Sequence, residues 1–343
     1  MPDSRSTDVA VLGSGSWGTA LSILLARNGA NVALWGRNRD EIGNITRDRE
    51  NARYLPGFEI PHNVVCLGPG DEIPSAPMWV VATPASSARE VCQYVHGEDP
   101  LVVVASKGLE SSEGTLLTEE ICHDLGRGAV GVLSGPNLAV EIARGIPTAA
   151  VVAFSDVAAA ERARAPFQSR NYRVYTSTDV IGVELAGALK NVLAIGAGMS
   201  DGLGFGDNTK GALLARGLNE MARLGVAMGA RLDTFLGIAG VGDLFATAAS
   251  RLSRNYRVGF SLGEGGDLTG ALATIGQVAE GVRTAACVGP LARRVGVDLP
   301  LFAAIQAVLT GQGRPRDTVT LLMERLPKAE GIVPGEANGH PGT

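Results

Sequence analysis

The stretch Val9-Ala10-Val11-Leu12-Gly13-Ser14-Gly15-Ser16-Trp17-Gly18-Thr19-Ala20 decides how the first half of this chain folds. Its four leading apolar residues predict a buried strand, and the three glycines after them have the spacing G-x-G-x-x-G. The segment from Thr19 to Arg27 is apolar at helical spacing and stops at Asn28-Gly29. The pattern therefore predicts a strand, a tight turn and a helix.

Each glycine has its own physical role in such a turn. Gly13 permits the tight turn, Gly15 lets a pyrophosphate approach the backbone, and Gly18 lets the helix pack close to the strand. Free N–H groups at the start of the helix favour a phosphate. The spacing alone also fits an ordinary glycine-rich turn, but the flanking strand and helix favour a dinucleotide site.

Length and composition limit the classes of protein. The 343 residues are enough for two domains, with 45% hydrophobic and 19% charged residues, as in ordinary globular proteins. A net charge of −5 offers no basic surface for nucleic acid. No apolar run reaches the roughly 20 residues of a membrane span, and residues 1–8 contain no apolar signal segment. We therefore expect a cytoplasmic protein with no membrane span and no nucleic-acid partner.

Cysteine and histidine provide no catalytic or metal-binding pattern. The cysteines are scattered, at Cys66, Cys92, Cys122 and Cys287, without the spacing of metal ligands. The four histidines all lie in polar or loop-like segments. We therefore expect no metal, no disulfide and no histidine base.

Lysine usage points to proton chemistry. Of the 30 basic residues only Lys107, Lys190, Lys210 and Lys328 are lysine, and all others are arginine. Arginine does not release its proton in a protein, whereas lysine does when burial lowers its pKa. Lys107 and Lys190 stand in apolar surroundings. They are the candidates for proton transfer, although a lysine whose stem alone is buried would give the same pattern.

Strands and helical segments alternate along the first half of the chain and give way to helices. Further strands are predicted at residues 31–35, 78–82, 101–105, 130–133, 148–154 and 172–176. Beyond residue 179 we expect a helix over 180–197, a loop over 198–206, a helix over 209–228 and a glycine-rich loop over 237–242. The prediction is an α/β fold: an N-terminal doubly wound Rossmann-type sheet (1–178), an all-α C-terminal domain (179–326) and a disordered tail (327–343).

The end of the second strand indicates which dinucleotide is bound. NAD sites usually have a carboxylate near this position for the ribose 2′-hydroxyl. Here the strand ends in Gly36-Arg37-Asn38-Arg39, so Arg37 stands where a 2′-phosphate would bind. The sequence thus favours NADPH, with NADH also usable, over the alternative of two solvent-exposed arginines in a turn.

Small or polar residues follow three other strands. They are Thr83-Pro84-Ala85, Ser106-Lys107-Gly108 and Ser134-Gly135-Pro136-Asn137. Ligands of open parallel sheets bind outside the carboxyl ends of the strands, so these segments should meet there. Tyr54, in the loop over 51–57, is expected either near the nicotinamide or as the filler of a crevice.

Seven stretches in order along the chain carry a resemblance to a known family. They are Gly13-Ser-Gly-Ser-Trp-Gly-Thr-Ala20, Ser106-Lys-Gly-Leu-Glu110, Ser134-Gly-Pro136, Glu184-Leu-Ala-Gly-Ala-Leu-Lys-Asn191, Gly240-Val-Gly-Asp-Leu244, Ser253-Arg-Asn255 and Gln277-Val-Ala-Glu-Gly281. Over nearly its whole length the chain resembles the bacterial-type NAD(P)-dependent glycerol-3-phosphate dehydrogenases. The resemblance implies reversible reduction of dihydroxyacetone phosphate, a small phosphorylated three-carbon substrate, to sn-glycerol 3-phosphate for phospholipid synthesis. The oligomeric state is left open, with a homodimer as one option.

The resemblance also implies roles for individual residues. Lys190 would be the proton donor and acceptor at C2, with Lys107 and Asp243 as its catalytic neighbours. Substrate contacts are implied for Lys107, Gly135, Asn137, Lys190, Asp243, Ser253, Arg254 and Asn255. Cofactor contacts are implied for Ser16, Trp17, Arg37, Lys107, Ala139, Arg254, Val278 and Glu280. They add to the cofactor residues expected from the local sequence itself, which are Gly13, Gly15, Gly18 and Tyr54.

Elementary chemistry agrees with these roles. Hydride transfer to a carbonyl carbon leaves negative charge on its oxygen, which a lysine both stabilises and protonates. Burial and a nearby Lys107 would lower the pKa of Lys190, whereas a close Asp243 would favour its charged form. Taken alone, the triplet Ser253-Arg254-Asn255 also fits a helix cap with a surface arginine.

Two positions depart from the family pattern. Asn137 stands where many members have serine or threonine, which bears on the identity of the substrate, and Ala248 stands where many have cysteine. Two other functions fit parts of the sequence: a β-hydroxyacid or 6-phosphogluconate-type dehydrogenase, and a non-catalytic dinucleotide sensor. The triplet at residues 253–255 and the short helical domain disfavour the first, and the two lysines in apolar settings disfavour the second.

Overall fold

The computed structural model describes residues 6–109 and 115–324, which divide into two compact units. The first unit contains the described residues up to Lys107 together with Leu117–Val180. The second contains the described residues from Ile181 onward and those between Gly108 and Leu116. The predicted boundary at residue 178 assigns this short early segment to the first domain, whereas in the structure its described residues pack with the second unit. The tail predicted over 327–343 lies outside the described residues.

Eight of the described strands form one sheet in the first unit. Its order is β10-β9-β8-β7-β6-β1-β2-β5. The strands of the unit are β1 (Val9–Leu12), β2 (Val32–Trp35), β3 (Glu50–Asn51), β4 (Leu55–Glu59), β5 (Val64–Leu67), β6 (Met78–Val81), β7 (Leu101–Val104), β8 (Ala129–Ser134), β9 (Thr148–Ala153) and β10 (Tyr172–Ser177). From β1 the chain builds outward through β2 to β5 and then crosses to β6, so the strand order reverses between β1 and β6. This reversal confirms the predicted doubly wound sheet and marks where ligands bind.

Helices of the first unit cover both faces of the sheet. They are α1 (Ser16–Arg27), α2 (Arg39–Asp48), α3 (Ala85–Val91), α4 (Leu117–Leu125), α5 (Ala139–Arg144) and α6 (Val157–Phe167), with a 3₁₀ turn at Cys92–Tyr94. Strands β1, β2, β6 and β7 are buried along their whole length, because apolar side chains pack on either side of them. One face buries residues such as Val11 and Leu25, and the other residues such as Leu12 and Trp79.

Three details of the first unit differ from the prediction. Strand β9 runs antiparallel to β8, whereas the other neighbours in this sheet are parallel. The edge strand β5 is an additional strand: its sequence Val64-Val65-Cys66-Leu67 is a short apolar run, but only Val64 is buried. The segment predicted as a loop over 51–57 overlaps the antiparallel pair β3–β4, which extends from Glu50 to Glu59.

The described part of the second unit is helical, which confirms the predicted all-α domain. Its helices are α7 (Val180–Gly202), α8 (Asp207–Ala227), α9 (Leu232–Leu236), α10 (Asp243–Ala248), α11 (Arg254–Gly263), α12 (Leu268–Ile275), α13 (Glu280–Val295), α14 (Pro300–Leu309) and α15 (Pro315–Met323). The glycine-rich stretch predicted as a loop over 237–242 instead contains a π-helical turn at Ile238–Gly242 that leads into α10.

The loop predicted from residue 198 is wrong for its first five residues, which continue α7 to Gly202. A Cβ on Gly198 would overlap the carbonyl oxygen of Tyr256, and one on Gly202 that of Phe260. Glycine is therefore used here to bring α7 against α11, and the contacts between the helices outweigh its poor helix propensity.

Helix α7 is long and apolar enough to cross a membrane by length and composition alone. However, 89% of its most apolar stretch is buried inside the protein. The helix is therefore a core helix, and its apolar sequence follows from being surrounded by the rest of its unit.

Candidate active site

The glycine-rich turn connects β1 to α1 in the first unit. Gly13 has φ +122°, and a Cβ there would lie 2.8 Å from the backbone of Ala82. A Cβ on Gly18 would overlap the carbonyl oxygen of Gly13, whereas one on Gly15 would meet nothing within 4 Å. The first and third glycines are thus required by packing, and the second leaves open space at the start of α1.

The start of α1 suits an anion. Within the part of the chain that the structure describes, the N–H groups of Gly15 to Gly18 have no acceptor, and Gly15 makes no side-chain cap. Four N–H groups without partners, next to a glycine that leaves room in front of them, form a cradle for phosphate. The residues present therefore fit the predicted dinucleotide, because the N–H groups without acceptors and the open space in front of Gly15 suit its phosphates.

Arg37 lies directly after β2, beside the glycine-rich turn. The residue before it, Gly36, approaches Ser14 so closely that a Cβ would overlap the Ser14 hydroxyl. The Arg37 side chain is exposed, and no hydrogen bond or ion pair in the described part of the chain uses its guanidinium. Arg39, by contrast, lies 3.8 Å from Asp71. The guanidinium of Arg37 is therefore available to a ligand bound at the turn.

The ends of the central strands are joined by side-chain hydrogen bonds. The indole of Trp17 donates to the carbonyl of Ala105 (3.1 Å), which fixes α1 to the end of β7. Ser106 Oγ donates to the carbonyl of Thr83 (2.6 Å), and Lys107 Nζ donates to that of Gly135 (2.7 Å). The structure thus brings the predicted segments after β6, β7 and β8 together.

Asn137 lies beyond the end of β8 with half of its amide engaged. Its Oδ1 accepts a hydrogen bond from the hydroxyl of Tyr172 (3.0 Å). Its Nδ2 is buried and has no partner among the described residues. A buried donor that lacks a partner costs free energy unless a ligand or water accepts from it. The amide of Asn137 is therefore held in one orientation, with a donor that has no partner among the described residues.

Two other residues predicted to contact the cofactor lie in the first unit. Tyr54 is half-buried, and the guanidinium carbon of Arg53 lies 5.1 Å from the centre of its ring. Ala139 is half-buried at the start of α5. Both side chains are therefore only partly covered by the rest of the first unit.

Lys190 is held inside the second unit by two acceptors. Its Nζ donates to Asp243 Oδ1 (2.8 Å) and to the hydroxyl of Thr247, and all three side chains are buried. Lys190 comes from α7, whereas Asp243 and Thr247 occupy positions i and i+4 on one face of α10. A carboxylate at this distance favours the protonated ammonium, which is the form that donates a proton.

Asn255 connects three segments next to this group. Its Nδ2 donates to Asn191 Oδ1 (2.9 Å), and its Oδ1 accepts from the N–H of Gly281 (3.0 Å). Asn191 directly follows Lys190 on α7. A Cβ on Gly281 would lie 2.6 Å from the carbonyl oxygen of Asn191, so this glycine permits the close approach of α13.

Ser253 and Arg254 begin α11. The Ser253 hydroxyl accepts from the N–H of Tyr256 (3.2 Å) as the helix cap, and its own proton has no acceptor among the residues that the structure describes. Burial lowers the pKa of Arg254, and the charge of Glu280 partly opposes this shift. Gln277 accepts a long hydrogen bond (3.4 Å) from Arg254. Ser253 is therefore a cap, but Arg254 is not the surface arginine of the alternative interpretation.

The remaining predicted positions lie in the second unit. Val278 is 46% exposed, and Glu280 is the first residue of α13. Ala248 is fully buried in the core of the second unit, so the missing cysteine leaves no polar gap. The glycine-rich turn, Arg37, Tyr54, Lys107, Gly135, Asn137 and Ala139 belong to the first unit, and Lys190, Asp243, Ser253, Arg254, Asn255, Val278 and Glu280 to the second.

Sequence reasoning missed four polar residues that organise these groups: Asn51, Tyr172, Asn191 and Thr247. The i, i+4 spacing of Asp243 and Thr247 was the available signal for Thr247. Asn191 follows the predicted lysine directly. The contacts of Asn51 with Ser14 and Thr19, and that of Tyr172 with Asn137, had no local signal, because they join residues 32 to 37 positions apart in sequence.

Comparisons with known proteins agree with the geometry. Residues 8–160 match the family model for the NAD-dependent glycerol-3-phosphate dehydrogenase N-terminus, and residues 179–320 match that for the C-terminus. The chain is 43% identical over 332 residues to a glycerol-3-phosphate dehydrogenase [NAD(P)+] from Methylibium petroleiphilum, covering 95% of this chain and 99% of the relative. A similar relative from Nitratidesulfovibrio vulgaris is 44% identical over 325 residues, covering 92% and 98%.

A solved structure shows the same fold over almost the full length. The glycerol-3-phosphate dehydrogenase of Coxiella burnetii superposes with a TM-score of 0.89 at 35% identity, covering 93% of this chain and 99% of that one. Both family models and the curated relatives therefore lead to one assignment. The chain belongs to the NAD-dependent glycerol-3-phosphate dehydrogenase family.

Proposed function

We propose that this protein interconverts dihydroxyacetone phosphate and sn-glycerol 3-phosphate, with NAD(P)H as the hydride carrier and Lys190 as the proton donor and acceptor. The observation that carries the proposal is the buried ion pair between Lys190 and Asp243 in a chain of this family. The reaction needs a hydride carrier and a proton donor. The first unit offers the cradle for the carrier, and the second offers the buried ammonium.

Lys190 supplies the proton. When bound, NAD(P)H provides a hydride to the carbonyl carbon, and the carbonyl oxygen then needs a proton. Asp243 keeps Lys190 protonated and turns its Nζ toward one place, while Thr247 holds a second of its three N–H donors. These two contacts fix the direction of the ammonium group. In the reverse direction the neutral amine accepts the proton from the C2 hydroxyl.

The start of α11 would hold the substrate phosphate. Arg254 offers a permanent charge, Ser253 a free hydroxyl proton, and Asn255 its second amide hydrogen beyond the one given to Asn191. Asn255 is itself held by Gly281. Since these donors follow one another at a helix N-terminus, the helix dipole adds to their attraction for the dianion.

The segments after β7 and β8 would bind the carbon and hydroxyl end of the substrate. Lys107 already donates to Gly135, so its charge is fixed in that segment. The partnerless Nδ2 of Asn137 offers a donor to a substrate oxygen, replacing the hydroxyl that many members have here. Tyr172 fixes the orientation of this amide and so takes part in substrate recognition.

For the cofactor, we propose a preference for NADPH over NADH because the guanidinium of Arg37 is unused and stands beside the turn. The glycines of the turn and Ser16 would hold the pyrophosphate. Charged nicotinamide cofactors and triose phosphates do not cross membranes unaided, so the enzyme works where both are present, which we take to be the cytoplasm. There its product would feed phospholipid synthesis.

The two alternative functions are less well supported. A β-hydroxyacid dehydrogenase would share the fold and the lysine, but both family models that match are those of glycerol-3-phosphate dehydrogenases. A sensor without catalysis would have no use for a lysine buried with a carboxylate and a hydroxyl, since such a group is costly to fold.

The decisive experiment follows NADPH oxidation optically with dihydroxyacetone phosphate as the only acceptor, and NADP⁺ reduction with sn-glycerol 3-phosphate in reverse. We expect turnover in both directions. A panel of 3-hydroxy acids and their oxo forms tests the second dehydrogenase class. Turnover of these alone would contradict the proposed substrate, and NADPH binding without any turnover would indicate a sensor.

A further inference from the structure

Asn51 connects the glycine-rich turn to the β3–β4 hairpin. It is 2% exposed, and its Nδ2 donates to the carbonyl of Ser14 (2.8 Å) and to Thr19 Oγ1 (2.8 Å). Its Oδ1 accepts from the N–H of Tyr54 (3.2 Å). Both hydrogens and the oxygen of this buried amide are therefore engaged, and each partner is a residue of the turn, of α1 or of the hairpin.

The contact with Ser14 fixes the direction of the next N–H. The Ser14–Gly15 peptide is trans, so its carbonyl and the Gly15 N–H point in opposite directions. Because Asn51 holds the carbonyl, the Gly15 N–H points away from Asn51. It has no acceptor within the described residues, and the place where a Gly15 Cβ would stand is open.

Thr19 strengthens the same arrangement from inside α1. Its hydroxyl accepts from Asn51 and makes a long hydrogen bond (3.4 Å) to the Ser14 carbonyl. Without Asn51 this weaker bond alone would hold the carbonyl. The peptide could then rotate and turn its oxygen, rather than its N–H, toward a phosphate, which is repulsive.

We propose that Asn51 is a positioning residue for the dinucleotide: it aims the Gly15 N–H at the pyrophosphate and ties the hairpin that carries Tyr54 to the turn. This rests on the proposed function only in that the ligand is NAD(P)H. Asn51 touches the turn and not the ligand, so its effect is on affinity through the peptide that it holds.

The test uses Asn51→Asp, which keeps the shape and the acceptor for Tyr54 but places an acceptor against the Ser14 carbonyl. Dissociation constants are measured by titration calorimetry for NADPH, NADH and adenosine 2′-monophosphate, which lacks the pyrophosphate. We expect NADPH and NADH to bind on the order of 10- to 100-fold more weakly, with adenosine 2′-monophosphate nearly unchanged. KM for NADPH should rise while kcat at saturating cofactor stays close to that of the wild type.

A matched control separates this effect from general destabilisation. Asn63 Nδ2 also donates to two carbonyls, those of Ala26 (2.9 Å) and Ala30 (2.7 Å), at the opposite end of α1. Asn63→Asp should lower Tm without weakening NADPH binding. If Asn51→Asp does not fold, Thr19→Val removes the second anchor and should weaken binding of both dinucleotides by a smaller factor.

The outcomes are distinguishable. A wild-type protein that binds neither NADPH nor NADH contradicts the proposed function. A wild-type protein that binds both, with Asn51→Asp or the substituted Thr19→Val variant binding them equally well, overturns the role of Asn51 alone. Equal losses of NADPH affinity in Asn51→Asp and Asn63→Asp would also overturn it. So would an equal loss of affinity for adenosine 2′-monophosphate, because Asn51 would then not act through the contact with the pyrophosphate.

Discussion

Lys190 and Asp243 form an ion pair of 2.8 Å in which the two side chains are only 7% and 1% exposed. Removal of charges from water is costly, and their attraction offsets that cost only when geometry and additional hydrogen bonds are good. Thr247 provides one such bond to each partner. A buried pair of this kind is a poor means of stabilising a fold, which supports its assignment to proton transfer.

Replacement of Lys190 by arginine tests that assignment. Arginine keeps the charge and most of the length but does not release a proton. We expect Lys190→Arg to bind NADPH with almost unchanged affinity while kcat falls at least ~100-fold. Lys210→Arg is the matched control, since Lys210 also pairs with an aspartate, Asp201 at 2.6 Å. Near-normal kcat in a folded Lys190→Arg protein would contradict the role and make Lys107 the leading candidate.

Arg37 should control the choice of dinucleotide. Arg37→Asp removes the positive charge proposed for the 2′-phosphate and supplies the carboxylate that suits a 2′-hydroxyl. KM for NADPH should rise much more than KM for NADH, as measured by steady-state kinetics with each cofactor. Arg47→Asp makes the same charge change at the far end of α2, where it is exposed, and should change neither KM. Equal effects of Arg37→Asp on both cofactors would place Arg37 away from the 2′-position.

Arg254 should act through the substrate phosphate. Arg254→Leu should cost ~2–5 kcal/mol in kcat/KM with dihydroxyacetone phosphate, because a half-buried charged donor is removed. The loss should be smaller for dihydroxyacetone, which has no phosphate. Arg257→Leu, an exposed change on the same helix, serves as the control. If kcat/KM falls by the same factor for both substrates, the phosphate is bound elsewhere.

Glu220 gives the second unit a pH-dependent stability. Burial raises the pKa of its carboxyl to about 7, although the N–H groups of Leu301 and Phe302 at the start of α14 oppose the shift. The Glu220 carboxyl releases its proton near pH 4.5 in the unfolded chain but only near pH 7 in the folded protein. The protonated carboxyl therefore stabilises the fold at low pH, and this contribution is lost as the pH rises through the range.

The variant Glu220→Gln removes that titration. The free energy of unfolding from urea denaturation should therefore depend less on pH between about 4.5 and 7, by on the order of 2–3 kcal/mol across the range. The exposed Glu264→Gln should retain the wild-type slope. A Glu220→Gln profile that parallels the wild type would show that this carboxyl does not ionise in that range.

Local patterns in the sequence were enough to predict the turn and the fold class. The glycine spacing after β1 and the alternation of strands and helices predicted the doubly wound sheet. Each strand, turn or helix signal is a pattern among residues that are close together in the sequence. The same holds for Arg37, whose position follows from the end of one strand. Lys190 was singled out by the rarity of lysine in an apolar helix.

Tertiary structure alone decided the features that depend on distant partners. Lys190 and Asp243 are 53 residues apart in sequence, and Asn51 is 37 residues from Ser14. Neither contact therefore produces a periodic pattern in the local sequence. Packing against α11 continued α7 through Gly198 and Gly202, where helix propensity favoured a loop. Propensity and periodicity act over one or two turns of chain, whereas these arrangements gain their free energy from surfaces that meet only after the chain has folded.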